Sequence, residues 1–222
     1  MDNNFRQTSI ADRFIGGLDR ALNNIFCTQK SSRTYPADLA VSGTDTQPIP
    51  ELTATQKKQA ASLMRVNHAG EMAAQALYQG QSLTARDPSL ADKLKHASLE
   101  EADHLNWCRN RLHELGEKPS LLDPLWYAGS FTIGVAAGIA GDRWNLGFLA
   151  ETEHQVVRHL QDHLSRLPEN DVRSRAIVEQ MQIDEQGHAD LAEYLGAAEL
   201  PKPVKDMMQL TSKVMTTLAE KI

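Results

Sequence analysis

Four long rows of apolar residues with helical spacing each carry a carboxylate where a core residue should sit. This limits the chain more than any other feature. An acid in the packed stripe of a helix needs a partner, because an unpaired charge in a dry core is prohibitively costly. The first row is Met64, Asn67, Glu71, Ala74 and Tyr78. The second is Leu94, Ala97, Glu101, His104, Cys108, Leu112 and Leu115, and the third is Leu146, Ala150, Glu153, Val157, Leu160 and Leu164. The fourth runs from Ile177 or Val178 through Met181, Glu185, His188 and Ala192 to Leu195. Residues three apart differ by about 60° around a helix, so Glu101 shares a face with His104, and Glu185 with His188.

Helix phase also discriminates among motifs. Glu-x-x-His occurs at Glu101/His104, Glu151/His154 and Glu185/His188, and any single match is weak. Glu151 and His154 share a row with Gly147 and Arg158, a polar face, so the middle motif is a decoy and Glu153 is the inward carboxylate. Glu71 precedes Glu101/His104 by one helical hairpin, and Glu153 precedes Glu185/His188 by another of nearly equal length. A duplicated two-helix unit produces such a pattern.

Punctuation places the helices. One spans about Thr53 to Leu83. Asp87 and Pro88 open a second, which ends near Gly116. A third covers roughly Trp144 to Arg166, Asn170 or Asp171 caps a fourth that ends near Gly196, and Pro201 and Pro203 precede a last helix to Ile222. Strand signals are weak throughout. The expected fold is all-α: a ferritin-like four-helix bundle with a long crossover connection between its two hairpins, plus extra N- and C-terminal helices. Residues 1–50 are expected to form an N-terminal amphipathic helix (Ile10, Phe14, Leu18, Leu22, Ile25) and a linker or loosely held strap from Thr28 to Pro50; residues 51–222 form the bundle domain.

Four carboxylates and two imidazoles facing one another are balanced by two divalent cations, which bring four positive charges. Oxygen and imidazole ligands without thiolate favour iron or manganese over zinc or copper. One Glu from each of two helices with Glu-x-x-His from each of the other two is the di-metal arrangement of ferritin-like bundles. Glu100 and Asp184 precede the two central acids and read either as supports for the imidazoles or as solvated helix charges.

Other readings narrow. The net charge of −6 shows no basic face, so nucleic acid is not an expected partner. The two cysteines, Cys27 and Cys108, form no CxxC motif, which disfavours a disulfide scaffold or a thiolate zinc site. The polar start "MDNNFRQTSI" lacks the pattern of a secretory signal. The uncharged stretch Pro124–Gly141 is broken by Gly129, Gly134 and Gly138 and reads as a buried or interfacial segment rather than a span. The last helix places Val204, Met207, Met208, Val214, Met215, Leu218 and Ile222 on one side, for packing on the bundle or for an interface. No Gly-rich dinucleotide motif is evident.

Four stretches carry a family resemblance: "RVNHAGEMAAQALYQGQ" (65–81), "LEEADHLNW" (99–107), "ETEHQVVRHLQDHL" (151–164) and "DEQGHADL" (184–191). Over roughly Leu52 to Ile222 the chain resembles the demethoxyubiquinone hydroxylases, di-iron monooxygenases of ubiquinone biosynthesis. The resemblance places the family's metal ligands on Glu71, Glu101, His104, Glu153, Glu185 and His188. It implies two Fe ions in the reduced Fe2+ state, O2 as co-substrate and a polyprenylated methoxy-methyl-benzoquinol as substrate. It also implies a peripheral position on the cytoplasmic side of the cell membrane and contacts with other ubiquinone-biosynthesis proteins. The alternatives are a ferritin-like iron-oxidising or peroxide-scavenging protein, and a non-enzymatic scaffold.

Overall fold

The computed structural model describes residues 31–42 and 51–222. Among them there are seven helices and no strand: α1 (Pro36–Ser42), α2 (Ala54–Thr84), α3 (Pro88–Glu114), α4 (Asp123–Ile139), α5 (Asp142–Arg166), α6 (Val172–Tyr194) and α7 (Lys202–Ala219). The expected helix over Ile10–Ile25 lies outside the described residues.

The helix starts follow the local chemistry. Thr53 caps α2 in a capping box: its hydroxyl accepts from Gln56 N, and its own N–H donates to Gln56 Oε1 at 2.9 Å. Asp87 caps α3 through Ser89 N at 2.8 Å, with Pro88 in the first turn. Asp171, rather than Asn170, caps α6 through Ser174 N at 3.0 Å. Its carboxylate also accepts from the Arg111 guanidinium at 2.8 Å, which ties the α6 start to α3.

The bundle is α2, α3, α5 and α6, paired as the hairpins α2–α3 and α5–α6. The crossover between the hairpins is mostly α4, which lies along α2. The approach is so close that a Cβ on Gly80 would run into Phe131 O, and one on Gly134 into Leu77 O. Glycine is required there for proximity rather than for an unusual backbone angle. Pro124–Gly141 is thus accounted for largely by a helix applied to the bundle surface. No helix among the described residues is long and apolar enough to cross a membrane.

Two apolar layers fill the core. One contains Leu63, Met64, Trp107, Cys108, Leu112, Leu160, Ile177 and Met181; the other contains Tyr78, Leu90, Leu94, Leu146, Leu149 and Ala192. Along every bundle helix the inward acids lie between these layers. Each fully buried large aliphatic side chain contributes about 1.5–3 kcal/mol, and the two layers together carry the unfavourable polar layer between them.

Two expectations change. The strap is not loose over its described part. Ala37 is fully buried in the core, and Arg173 of α6 donates to Ala37 O and to Asp38. Asp103 accepts from Ser31 Oγ at 2.8 Å and from Ser32 N and Oγ at 2.7 Å each. Composition alone misled here, because small polar residues satisfy buried acids well. The apolar row of α7 also divides: Val204, Met208 and Met215 are half-buried, whereas Met207, Leu210, Val214 and Leu218 are exposed.

Candidate metal centre

All six inward residues of the phase analysis meet in the layer between the two cores. Glu71 comes from α2, Glu101 and His104 from α3, Glu153 from α5, and Glu185 and His188 from α6. Their donor atoms form two groups, Glu71/Glu101/His104/Glu185 and Glu153/Glu185/His188, within which all chosen atoms lie within 4.8 Å of one another. Five of the six are at most 3% exposed; His188 is partly open, with 11% of its side chain exposed.

The two histidines share the central acids symmetrically. His104 Nδ1 is 3.0 Å from Glu185 Oε1 and 3.3 Å from Glu101 Oε2. His188 Nδ1 is 3.0 Å from Glu185 Oε2 and 3.3 Å from Glu101 Oε1. Each of these two carboxylates therefore offers one oxygen to each half of the site, the disposition of a bridge between two ions. Glu71 Oε2 lies 3.4 Å from His104 Nδ1, on one side only. Glu153 lies on the other, where Tyr78 Oη donates to its Oε1 at 2.8 Å.

The far nitrogens are held by a crossed pair of acids. His104 Nε2 lies 2.9 Å from Asp184 Oδ2 of α6, and His188 Nε2 lies 2.9 Å from Glu100 Oε2 of α3. Glu100 and Asp184 thus support imidazoles, each on the opposite helix from its own. An Nε2–H donated outward leaves the Nδ1 lone pair facing the centre, as a metal-ligating histidine requires.

The charges show strain without a cation. Burial pushes the Glu71 and Glu153 carboxyls well above the usual range, and the neighbouring Glu101 and Glu185 push them further. Burial would also raise Glu101, but the imidazoles of His104 and His188 close against its oxygens hold it below the ordinary value. Burial alone would lower both histidines; their carboxylate contacts override it and raise His104 strongly and His188 to about 12. Glu71 Oε2, both Glu101 oxygens, His104 Nδ1, Glu153 Oε2 and Glu185 Oε1 are buried with no hydrogen-bond partner. Orphaned ligand atoms on five of the six converging residues fit a pair of divalent ions.

The middle Glu-x-x-His faces outward, as its phase requires. His154 Nε2 pairs with Glu193 at 2.8 Å, and Glu151 lies near Arg158 and Lys205. Beside the centre, a shallow, mostly apolar cleft open to solvent is lined by Tyr78, Leu90, Leu94, Leu146, Leu149 and His188 among others. Tyr78 lies in the helical row of α2, where the period gives it only a core role. No local pattern points to Arg33, which bonds Asp184 across 151 positions of sequence.

Fold and site together define a class: ferritin-like helical bundles with a buried carboxylate–histidine centre able to hold metal. Residues 58–219 match the family model described as "Ubiquinone biosynthesis protein COQ7". The chain belongs to that family. It is 55% identical over 206 residues to the 3-demethoxyubiquinol 3-hydroxylase of Chromobacterium violaceum, covering 92% of this chain and 96% of the relative. It is 52% identical over 214 residues to the enzyme of that name from Polynucleobacter asymbioticus, covering 96% and 100%. A third relative so named, from Ralstonia pickettii, is 52% identical over 215 residues, covering 95% and 99%.

Proposed function

We propose that this chain is an O2-dependent monooxygenase that hydroxylates the ring of demethoxyubiquinol, a polyprenylated 3-methyl-6-methoxy-1,4-benzoquinol. The observation that carries this reading is the shared presentation of Glu101 and Glu185 to both histidines, with Glu71 and Glu153 terminal on opposite sides. Glu71, Glu101, His104, Glu153, Glu185 and His188 would hold two iron ions, which when bound supply the reduction and activation of O2.

The residues around the centre have their own tasks. Asp184 and Glu100 hold the imidazoles with Nδ1 inward. Tyr78 donates to Glu153 Oε1 and so fixes the orientation of that carboxylate. The cleft walls Leu90, Leu94, Leu146 and Leu149 present apolar surface beside Tyr78 and His188, suited to an apolar ring that approaches the centre there. A polyprenyl substrate resides in a bilayer. Exposed Met207, Leu210, Val214 and Leu218 on α7, with Leu121 and Leu125 around the start of α4, suit peripheral seating on the cytoplasmic side of the cell membrane.

The test is direct. Iron-reconstituted protein is given demethoxyubiquinol, reductant and isotopically heavy O2, and the quinone product is read by mass. One labelled oxygen on the ring is expected. Absence of labelled product, with many irons accumulating per chain instead, would refute the reading in favour of an iron-storing protein.

A further inference from the structure

The strap before α1 reaches the metal centre from outside the bundle. Arg33 makes a two-point contact with Asp184: Nη1 to Oδ2 at 2.6 Å and Nη2 to Oδ1 at 3.2 Å. Asp184 Oδ2 is the atom that faces His104 Nε2. The guanidinium also lies 4.9 Å over the Trp107 ring, which is 5.2 Å from the His104 ring. Gln180 donates to the remaining side of Asp184 at 3.0 Å. The strap is itself anchored next to His104, because Ser31 and Ser32 place three hydrogen bonds on buried Asp103.

The other half of the site has no counterpart. Glu100 supports His188, yet its side chain is 41% exposed, and among the described residues no Lys or Arg hydrogen-bonds to it; Arg33 acts on it only through the weaker, through-space attraction of their charges. His188 borders the apolar cleft, whereas His104 is sealed. The internal repeat therefore yields two half-sites with matched donors and unmatched support.

We propose that Arg33 is a positioning residue for the His104 half of the centre. By fixing Asp184 it fixes the His104 ring, so that this half is the rigid, slowly exchanging one and the His188 half beside the cleft is the labile one. The inference rests on the di-metal reading above. A bidentate guanidinium on a carboxylate sets its orientation as well as its charge, and an oriented carboxylate sets the ring it holds. Outer partners of metal-bound histidines typically alter metal affinity about 10–100-fold. Arg33 acts one contact further out, so the lower end of that range applies.

The experiment follows iron release rather than turnover. Protein loaded anaerobically with ferrous iron is mixed with excess chromogenic chelator, and release is followed by absorbance. The parent should show a fast and a slow phase of equal amplitude. Arg33→Gln should accelerate the slow phase about tenfold and leave the fast phase within about twofold, with Arg33→Lys in between. Asp184→Asn should accelerate the slow phase as well, and adding Arg33→Gln to it should change little more, because both act through one contact. Melting of the metal-free variants controls for a general loosening. The proposal is overturned if Arg33→Gln leaves the slow phase unchanged, if both phases accelerate alike, or if the two substitutions act multiplicatively. A parent that binds no iron would instead overturn the di-metal reading and this inference with it.

Discussion

Glu185→Ala offers the sharpest contrast with a neighbouring acid of similar sequence context. Glu185 belongs to both groups of donor atoms, whereas Glu151 belongs to neither. Its two oxygens sit 3.0 Å from the two histidine Nδ1 atoms, so an ion in either half would face one of them. A unit charge pair 4 Å apart at an effective dielectric of 20 is worth about 4 kcal/mol, and a divalent ion experiences more. Losing 4 kcal/mol weakens each ion by about three powers of ten. The fold should survive: the substitution removes an acceptor from each histidine, but it also removes a charge that burdens Glu71 and Glu153. After reconstitution at micromolar iron and desalting, metal analysis should give about two ions per chain for the parent and for Glu151→Ala. Glu185→Ala should retain less than about a tenth of that and lose ring hydroxylation, with an unchanged helical circular-dichroism spectrum. Full iron content and normal hydroxylation in Glu185→Ala would refute the assignment.

Three further outcomes follow from the same structure. Gly134→Ala places a Cβ against Leu77 O and should cost about 1–3 kcal/mol, lowering Tm by roughly 3–10 °C in thermal unfolding; Gly129→Ala on the same helix meets nothing within 4 Å and should raise Tm slightly. In the metal-free protein, Glu71, Glu153, His104 and His188 all have raised values. Their stabilisation is therefore complete below the ordinary values of 4.5 and 6.5 and is lost as pH rises through the raised ones. Its Tm should fall between about pH 6.5 and 8.5, above the range in which the lowered values of buried His68, His159 and His163 act in the opposite sense, while that of the iron-loaded protein does not; parallel curves in scanning fluorimetry would contradict this. Leu210→Glu, on the exposed face of α7, should reduce sedimentation with anionic lipid vesicles several-fold without altering iron content, and equal co-sedimentation would remove α7 from the membrane contact.

The bundle and the six central residues were legible because both depend on the helical period. Glu71, Glu101, Glu153 and Glu185 each fall in a three–four-spaced row that carries apolar residues at its ends, so their inward direction is a local property of each helix. The same period exposed Glu151/His154 as an outward pair. Whatever depends on packing between helices was not legible. Glu100 and Asp184 lie on the same helices as the motifs they flank, yet each serves the histidine of the opposite helix. The strap gave no signal, because its Ser and Arg side chains satisfy acids on α3 and α6 rather than forming a regular element. The α7 row combined half-buried and exposed positions that sequence placed on one side.

The crossing of supports bears on how the centre is assembled. A duplicated hairpin could in principle carry one metal site per copy. Here neither hairpin holds a complete half-site. The first group draws on α2 and α3 but needs Glu185 from α6, and the second draws on α5 and α6 while its histidine depends on Glu100 and faces Glu101 of α3. Before the hairpins dock, His104 Nδ1 lacks one of its three acids, His188 Nδ1 lacks one of its two, and each Nε2 lacks its acceptor. Burying either hairpin's acids without the other would leave unpaired charge at a cost of several kcal/mol per group. Hairpin docking and completion of the carboxylate–histidine cluster are therefore coupled, and the contacts between helices, rather than either repeated unit alone, make one site of the two halves.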